Sequence, residues 1–286
     1  RGMGGICPVS NPKVWIERIL DESICSGLGE LDNMAVIFML PEGLIIPATE
    51  KLKNYPPQKI RSLQIGVQGV FRENAVKGGN FGAFTTNLPA AAALNLGAAW
   101  TIIGHSEERK DKLDIIASFE PRILKDEQFA KAAKESVDRL IQKEIVCALE
   151  TGLNVLFCVG ETAEEKGEGS FREQKQRIEA VLKAQLEIGL GNTQGYIPSR
   201  NIVIGYEPIW AIGPGKTPPD ADYITFISVF IKKTVRELYG FDPVIVYGGG
   251  LKEENAGAIS KIETIGGGLV ALTRFSGNIG FYPDEL

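Results

Sequence analysis

A carboxylate, Glu207, follows the apolar run Ile202-Val203-Ile204 within Gly205-Tyr206-Glu207-Pro208-Ile209-Trp210-Ala211-Ile212-Gly213-Pro214-Gly215-Lys216-Thr217. At the end of a strand it is placed to take a proton from a bound ligand, and the Gly-Pro-Gly segment beyond suits a loop that moves over that ligand. The same residues also fit a strand, a surface Glu and an ordinary turn. His105 is the only histidine in 286 residues. A lone His after a strand is often a structural hydrogen-bonding group, but this one opens a helical turn with Ser106, Glu107 and Glu108. A helix N-terminus disfavours the imidazolium, so His105 is expected to stay neutral and donate a hydrogen bond. Asn11 and Lys13, in Ser10-Asn11-Pro12-Lys13, add an amide and an ammonium. Alone they read equally as a helix cap and a solvated first-turn residue. Carboxylate, imidazole, ammonium and amide together can move protons beside a developing negative charge.

These groups need a scaffold that brings strand tips to one face. Short apolar runs alternate with longer helix-like segments, the pattern of parallel βα units. The expected strands are Gly5 to Val9, Met34 to Met39, Leu63 to Gln68, Trp100 to Gly104, Asn154 to Val159, Ile202 to Tyr206, Val244 to Tyr247 and Leu269 to Leu272. Each is continuous rather than alternating, as strands covered on both faces should be. Between them, Pro218-Pro219-Asp220 starts a helix with Tyr223, Ile224, Ile227, Phe230, Ile231 and Leu238 at helical spacing, and Gly240 stops it. Another is expected from about Glu135 to Leu149, halted at Thr151-Gly152. Parallel strands with helical crossovers close most simply into a single α/β domain, a (β/α)8 barrel over residues 1–286. An open doubly wound sheet competes, but no GxGxxG follows the first strand. In a barrel, function sits where strands end, which places Asn11, Lys13, His105, Glu207 and Tyr247-Gly248-Gly249-Gly250 on one face.

The chain is 44% hydrophobic and 23% charged, with a net charge of -5. That mildly acidic balance, without basic residues interleaved with aromatics, argues against nucleic acid as the partner. Four scattered cysteines, Cys7, Cys25, Cys147 and Cys158, make neither a disulfide framework nor a CxxC zinc pair. The opening residues lack an apolar leader and no apolar run is long enough to span a membrane, so the cytoplasm is the expected compartment. Pro283-Asp284-Glu285-Leu286 lacks the Lys or His of an ER-retention tail.

The residues resemble the triosephosphate isomerase family over nearly the whole chain. The resemblance rests on an ordered set: Asn11-Pro12-Lys13, Gly82-Ala83-Phe84-Thr85, Gly97-Ala98-Ala99-Trp100 with Gly104-His105-Ser106-Glu107, Cys158-Val159-Gly160-Glu161-Thr162, Tyr206-Glu207-Pro208-Ile209-Trp210-Ala211-Ile212-Gly213, and Tyr247-Gly248-Gly249. It implies a TIM barrel that interconverts dihydroxyacetone phosphate and D-glyceraldehyde 3-phosphate through an enediolate, a step of glycolysis and gluconeogenesis. Glu207 would be the base and His105 the neutral group that polarises the carbonyl, the pairing for which this family is itself the standard illustration. Lys13 would offset the enediolate and phosphate charge, Asn11 would orient the substrate oxygen, and Glu107 would position Lys13. Pro208, Ile209, Trp210, Ala211, Ile212, Gly213, Pro214, Gly215, Lys216 and Thr217 would form a closing lid. Phosphate would rest on backbone N–H groups of Gly213, Gly250, Leu272 and Thr273. No metal or organic cofactor is required. Gly82 to Thr85 resembles the loop that inserts into a second subunit, so a homodimer is implied.

Several positions depart from the family. Pro214 removes a backbone donor at the lid tip, Gly250 stands in place of a serine, and Leu269 to Phe275 lacks the glycines expected at the phosphate. There Arg274 reads as a compensating charge or as a solvated side chain. Asn87 and Glu108 replace an acid and an arginine that pair across subunits. Residues 110–134 add roughly 20 residues to the pattern and read as a surface insertion. The chain ends before the long last helix such a barrel carries, which means a truncated or a short end. Two alternatives accompany the leading reading: isomerisation of a four-carbon sugar phosphate on the same site, and a non-catalytic sugar-phosphate-binding paralogue. The intact Asn11, Lys13, His105 and Glu207 set argues against the second, since binding alone needs no base.

Overall fold

The computed structural model describes residues 11–80, 82–197, 200–213, 215–274 and 280–286. Among them, seven parallel strands form one sheet in sequential order: β1 (Val36–Leu40), β2 (Leu63–Val67), β3 (Trp100–Ile103), β4 (Asn154–Val159), β5 (Ile202–Tyr206), β6 (Val244–Tyr247) and β7 (Gly267–Gly268). Each neighbouring pair is parallel, and helices intervene between successive strands, which is the α/β architecture of the TIM barrel. The expected strand Gly5 to Val9 lies outside the described residues.

The helices are α1 (Pro12–Cys25), α2 (Glu42–Leu52), α3 (Ala90–Leu96), α4 (Ser106–Phe119), α5 (Glu127–Thr151), α6 (Ala163–Lys166), α7 (Phe171–Gly189), α8 (Ala221–Tyr239) and α9 (Glu253–Ile259). The long α8 follows its sequence signals: the Asp220 side chain accepts the Tyr223 N–H at 2.8 Å, Tyr223, Ile224, Ile227 and Ile231 are buried, and Gly240 ends the helix at φ 74°. Helix α5 stops at Gly152 as expected but begins at Glu127 rather than about Glu135, because Asp126 caps Gln128 and Phe129. Residues 110–134 are accordingly mostly ordered secondary structure: the rest of α4, a 3-10 turn at Pro121–Leu124 and the first turns of α5.

The last strand corrects the sequence reading. Leu269 to Leu272 is not a strand; β7 is Gly267–Gly268, paired with Val246 and Tyr247, and Leu269 adds one ladder bond from its N–H to the Tyr247 carbonyl at 2.9 Å. Glycine there leaves room for neighbouring side chains. A Cβ on Gly268 would lie 2.2 Å from Leu251 Cδ2, and one on Gly266 would lie 2.8 Å from Val244 Cγ1. The apolar run that follows goes to packing instead, with Leu269 Cδ1 against Gly205 and Gly248.

Register sets the height of the site. Val159 pairs with Tyr206 and Tyr206 with Tyr247, so the residues that follow them, Gly160, Glu207 and Gly248, leave the sheet at one level. On the other side Ile103 pairs with Phe157, which brings Gly104 and His105 to the same rim. Beneath lies a core with Phe157, Tyr206 and Tyr247 fully buried. Aligned tips over such a core are what let side chains far apart in sequence meet.

Candidate functional site

Glu207 leaves β5 with its N–H on the Val159 carbonyl at 2.9 Å. Its backbone is tightly hemmed in: a Cβ on Gly160 would fall 1.8 Å from the Glu207 carbonyl oxygen, and one on Gly248 would fall 3.1 Å from Glu207 Cγ. Two glycines on the neighbouring strand tips therefore leave room for this one carboxylate. The side chain is buried, and its Oε2 accepts the Ser106 N–H at 3.1 Å at the start of α4. Oε1 lies 3.0 Å from His105 Nε2. A carboxylate at a helix N-terminus gains both an N–H donor and the favourable end of the helix dipole.

His105 caps α4, its Nδ1 accepting the Glu107 N–H at 3.4 Å. An accepting Nδ1 leaves the ring proton on Nε2, where it faces Glu207, so the hydrogen bonds assign the neutral Nε2–H tautomer. About a third of the imidazole is open to solvent whereas the Glu207 side chain is 5% exposed. This contrast leaves the donor reachable by a ligand and the base sheltered from water. Cys158 is buried beside Glu207; burial, and then the Glu207 charge, push this thiol well above its usual range, so it is not a ready nucleophile.

The other sequence-predicted residues are not drawn into this pair. Asn11 caps α1, its side chain accepting the Lys13 N–H at 3.0 Å and the Val14 N–H at 3.4 Å. The Lys13 ammonium is exposed and lies 3.8 Å from Glu17. Glu107 sits in the first turn of α4. Of the phosphate candidates, Gly250 has a positive φ of 85° with open space around it, and Gly213 a φ of 119°. Leu272 is partly exposed. Thr273 spends its N–H on the Gly280 carbonyl at 3.1 Å, and its hydroxyl accepts the Tyr282 N–H at 2.8 Å. As the segment stands, the Thr273 N–H is directed into the chain and not toward a ligand, which corrects its place among the phosphate donors.

The segment expected to form a lid has a fixed start and exposed residues beyond it. Pro208 leads into a 3-10 turn, Ile209–Ala211, and the Ile209 N–H bonds the Glu161 carbonyl at 3.1 Å. The carboxylate of Glu161 is buried and accepts three hydrogen bonds: from Trp210 Nε1 at 2.7 Å, the Tyr223 hydroxyl at 2.8 Å and the Tyr206 hydroxyl at 3.0 Å. Burial raises the pKa of Glu161, although the three donors oppose that rise. Lys166 lies 3.3 Å above the Trp210 ring. Beyond this anchor Ile212, Gly213, Gly215, Lys216 and Thr217 are exposed; Pro214 lies outside the described residues.

Sequence reasoning missed Ser106 as the donor that docks Glu207, and Glu161 as the anchor of Trp210. A cap-like Ser106 beside the only histidine was the available signal for the first. For the second, nothing local reveals that three aromatic donors converge on one acid. Glu108, noted only as a departure, turns inward: its carboxylate accepts the Gly104 N–H at 2.6 Å. In the Gly82 to Thr85 loop, Phe84 packs edge-on against Phe71 at 5.8 Å, and Gly82 and Thr85 are exposed. Among the described residues no group of three or more His, Cys, Asp or Glu side chains could hold a metal ion, and no helix is long and apolar enough to cross a membrane.

The comparisons with known proteins agree with one another. The sequence model of the family described as triosephosphate isomerase matches residues 37–276. The triosephosphate isomerase of Pelodictyon phaeoclathratiforme is 32% identical over 255 residues, covering 88% of this chain and 84% of that protein. That of Oleidesulfovibrio alaskensis is 34% identical over 192 residues, a match spanning 66% of this chain and 65% of the relative's length. In fold, the chain is similar to the crystal structure of triosephosphate isomerase from Bartonella henselae, with a TM-score of 0.64 at 23% identity over 92% of this chain and 88% of that one.

Proposed function

The chain belongs to the triosephosphate isomerase family, and from that premise we propose that it interconverts dihydroxyacetone phosphate and D-glyceraldehyde 3-phosphate in the cytoplasm, as a homodimer joined through the Gly82 to Thr85 loop. The observation that carries this reading is the pairing of a sheltered carboxylate with a neutral imidazole, Glu207 Oε1 to His105 Nε2 at 3.0 Å. A sugar phosphate entering between them replaces both partners of Glu207. The carboxylate then removes the proton from the carbon beside the carbonyl, and the His105 Nε2–H donates to the oxygen as charge collects there. Return of the proton to the adjacent carbon, with the hydroxyl proton passed through His105, completes the isomerisation. The only σ bonds broken are C–H and O–H, while the carbonyl π bond moves from one carbon to its neighbour by way of the enediolate.

The remaining roles follow the charge. Lys13, on its flexible stem at the start of α1, leaves Glu17 to meet the enediolate and the phosphate, with Glu107 beside it and Asn11 holding the turn. A surface ion pair of this kind holds by no more than about 1 kcal/mol, so a dianion readily outcompetes it. The phosphate is taken by N–H groups of Gly213, Gly250 and Leu272, and closure of Pro208 to Thr217 excludes water.

The test is a coupled assay that offers glyceraldehyde 3-phosphate and a four-carbon aldose phosphate side by side. Turnover of the triose, with a loss of about a thousand-fold in Glu207→Ala, is the expected result. Conversion of the tetrose alone would move the substrate and keep the mechanism. A protein that binds the triose yet exchanges none of its carbon-bound hydrogen with solvent would be a binder without a base.

A further inference from the structure

Three charged side chains of α4 and α5 meet in the interior, and the proton transfers described above use none of them. Glu144 of α5 is 3% exposed. The ammonium of Lys112, on α4, lies 3.1 Å from Glu144 Oε1 and bonds the Glu108 carboxylate as well. Glu108 therefore shares this one ammonium with Glu144, and it also accepts the Gly104 N–H at 2.6 Å. The Gly104 carbonyl accepts Arg109 Nε at 2.8 Å. Gly104, the residue that delivers the chain to His105, is thus held by both of its polar groups. Its φ of 80° and a hypothetical Cβ only 2.7 Å from the Cys158 carbonyl oxygen leave the turn no alternative residue.

Two carboxyl groups set against a single buried ammonium balance its charge only if one of them keeps its proton. With that proton the cluster is one ammonium, one carboxylate and one carboxylic acid, and is neutral. Without it a net negative charge remains in the interior, at a large solvation cost. We propose that Glu108, Lys112 and Glu144 are positioning residues for His105: a proton kept on Glu144 holds Glu108 ionised against Lys112 and the Gly104 N–H, and so fixes the turn that aims the imidazole. The inference rests on the role of His105 in the isomerisation.

The electrostatics agree with the geometry. Burial, then the hydrogen bond and charge of Glu108, push the Glu144 carboxyl up to about 9. Burial also works to raise Glu108, but its bond to Glu144 and the charge of Lys112 outweigh it and hold this carboxyl below its usual range. Around them lie the Arg109 and Asp138 pair, His105 and Glu207 at the rim, and two thiols, Cys147 on α5 and Cys158 on β4. Burial lifts Cys147 to about 11 and Cys158 well above its usual range, so the thiols ionise above the point at which Glu144 does.

Because His105 is the only histidine, 15N-histidine labelling reports on this one ring. In the parent, the imidazole signals should shift with a midpoint near pH 9, and kcat should fall through the same midpoint while KM stays nearly constant. In Glu144→Gln, whose amide donates to Glu108 without titrating, both steps should vanish. In Glu108→Gln the proton leaves Glu144 more easily, so the midpoint should move toward acid. Glu108→Ala should lower kcat about tenfold through a loosened turn, with much of that loss recovered in Glu108→Gln, which still accepts from Gly104. A parent with no step, a step that survives in Glu144→Gln, or a midpoint unmoved by Glu108→Gln overturns the proposal. If the imidazole step is present but no sugar phosphate is turned over, the isomerase reading falls and the positioning role stands.

Discussion

The tips of β3, β4 and β5 differ sharply from the loop after β6, from β7 and from the segment that follows it. On the first side the groups around Glu207 have fixed partners: Ser106 and His105 on the carboxylate, Glu161 on Trp210, Tyr206 and Tyr223. On the second, the strand is two residues long, Gly250 stands in open space and Thr273 bonds within its own turn. Proton transfer tolerates little displacement, whereas a phosphate dianion accepts many arrangements of donors. On the proposed isomerase reading, the part that would perform the chemistry is built tightly, and the part that would grip the ligand is open backbone.

Three substitutions would break or sharpen this contrast. The largest effect is expected from Gly160→Ala, whose methyl would drive into the Glu207 carbonyl: kcat should fall about a hundred-fold with the fold intact by circular dichroism. Parent-like turnover there would show that the tight side is not tight. Next comes Glu161→Gln, which offers an amide to three hydrogen-bond donors and should cost about 1–3 kcal/mol of stability in chemical denaturation. Its effect on kcat should run through the anchoring of Trp210, so lid closure measured by Trp fluorescence should slow. The smallest is expected from Gly250→Ala, where space is open but φ is positive: strain of about 1 kcal/mol should raise KM several-fold and leave kcat close to the parent. A collapse of kcat in this variant would mean that the phosphate side is as exacting as the other.

A fourth prediction concerns pH and stability. Glu144 is raised from its ordinary value of 4.5 to about 9 in the folded chain. The folded state therefore holds a proton that the unfolded state has released, and this contribution is complete below the ordinary value and lost as pH rises through about 9. Denaturation of Glu144→Gln should show a shallower fall in stability over that range than the parent, and parallel behaviour above it.

The βα repeat was legible because strands covered on both faces must be continuous apolar runs; Asn154 to Val159, Ile202 to Tyr206 and Val244 to Tyr247 are strands at the expected residues. Leu269 to Leu272 met the same criterion and is not a strand: Leu269 packs beside Gly205 and Gly248, and Ala271 is exposed. Periodicity cannot tell these uses apart. The pairing of His105 with Glu207 could be anticipated from strand tips on one rim, and Ser106 left a local hint, but Glu161 and the meeting of Glu108 and Lys112 with Glu144 could not be read. The partners of Glu161, and Glu144 itself, come from other elements, and only their packing brings them together. Helix α5 began earlier than expected for a local reason, the cap supplied by Asp126.

The docking of Glu207 on the Ser106 N–H has one more consequence. A carboxylate that accepts the Ser106 N–H and lies 3.0 Å from His105 Nε2 is a disarmed base, and giving up a hydrogen bond to a charged group costs about 1.5–3 kcal/mol. On the proposed isomerase reading that cost would work as a safety catch. Bulk water would not recruit the base, and a small carbonyl compound without a phosphate would lack the grip to do so, so the catch would open only for a ligand whose far end has already been seized.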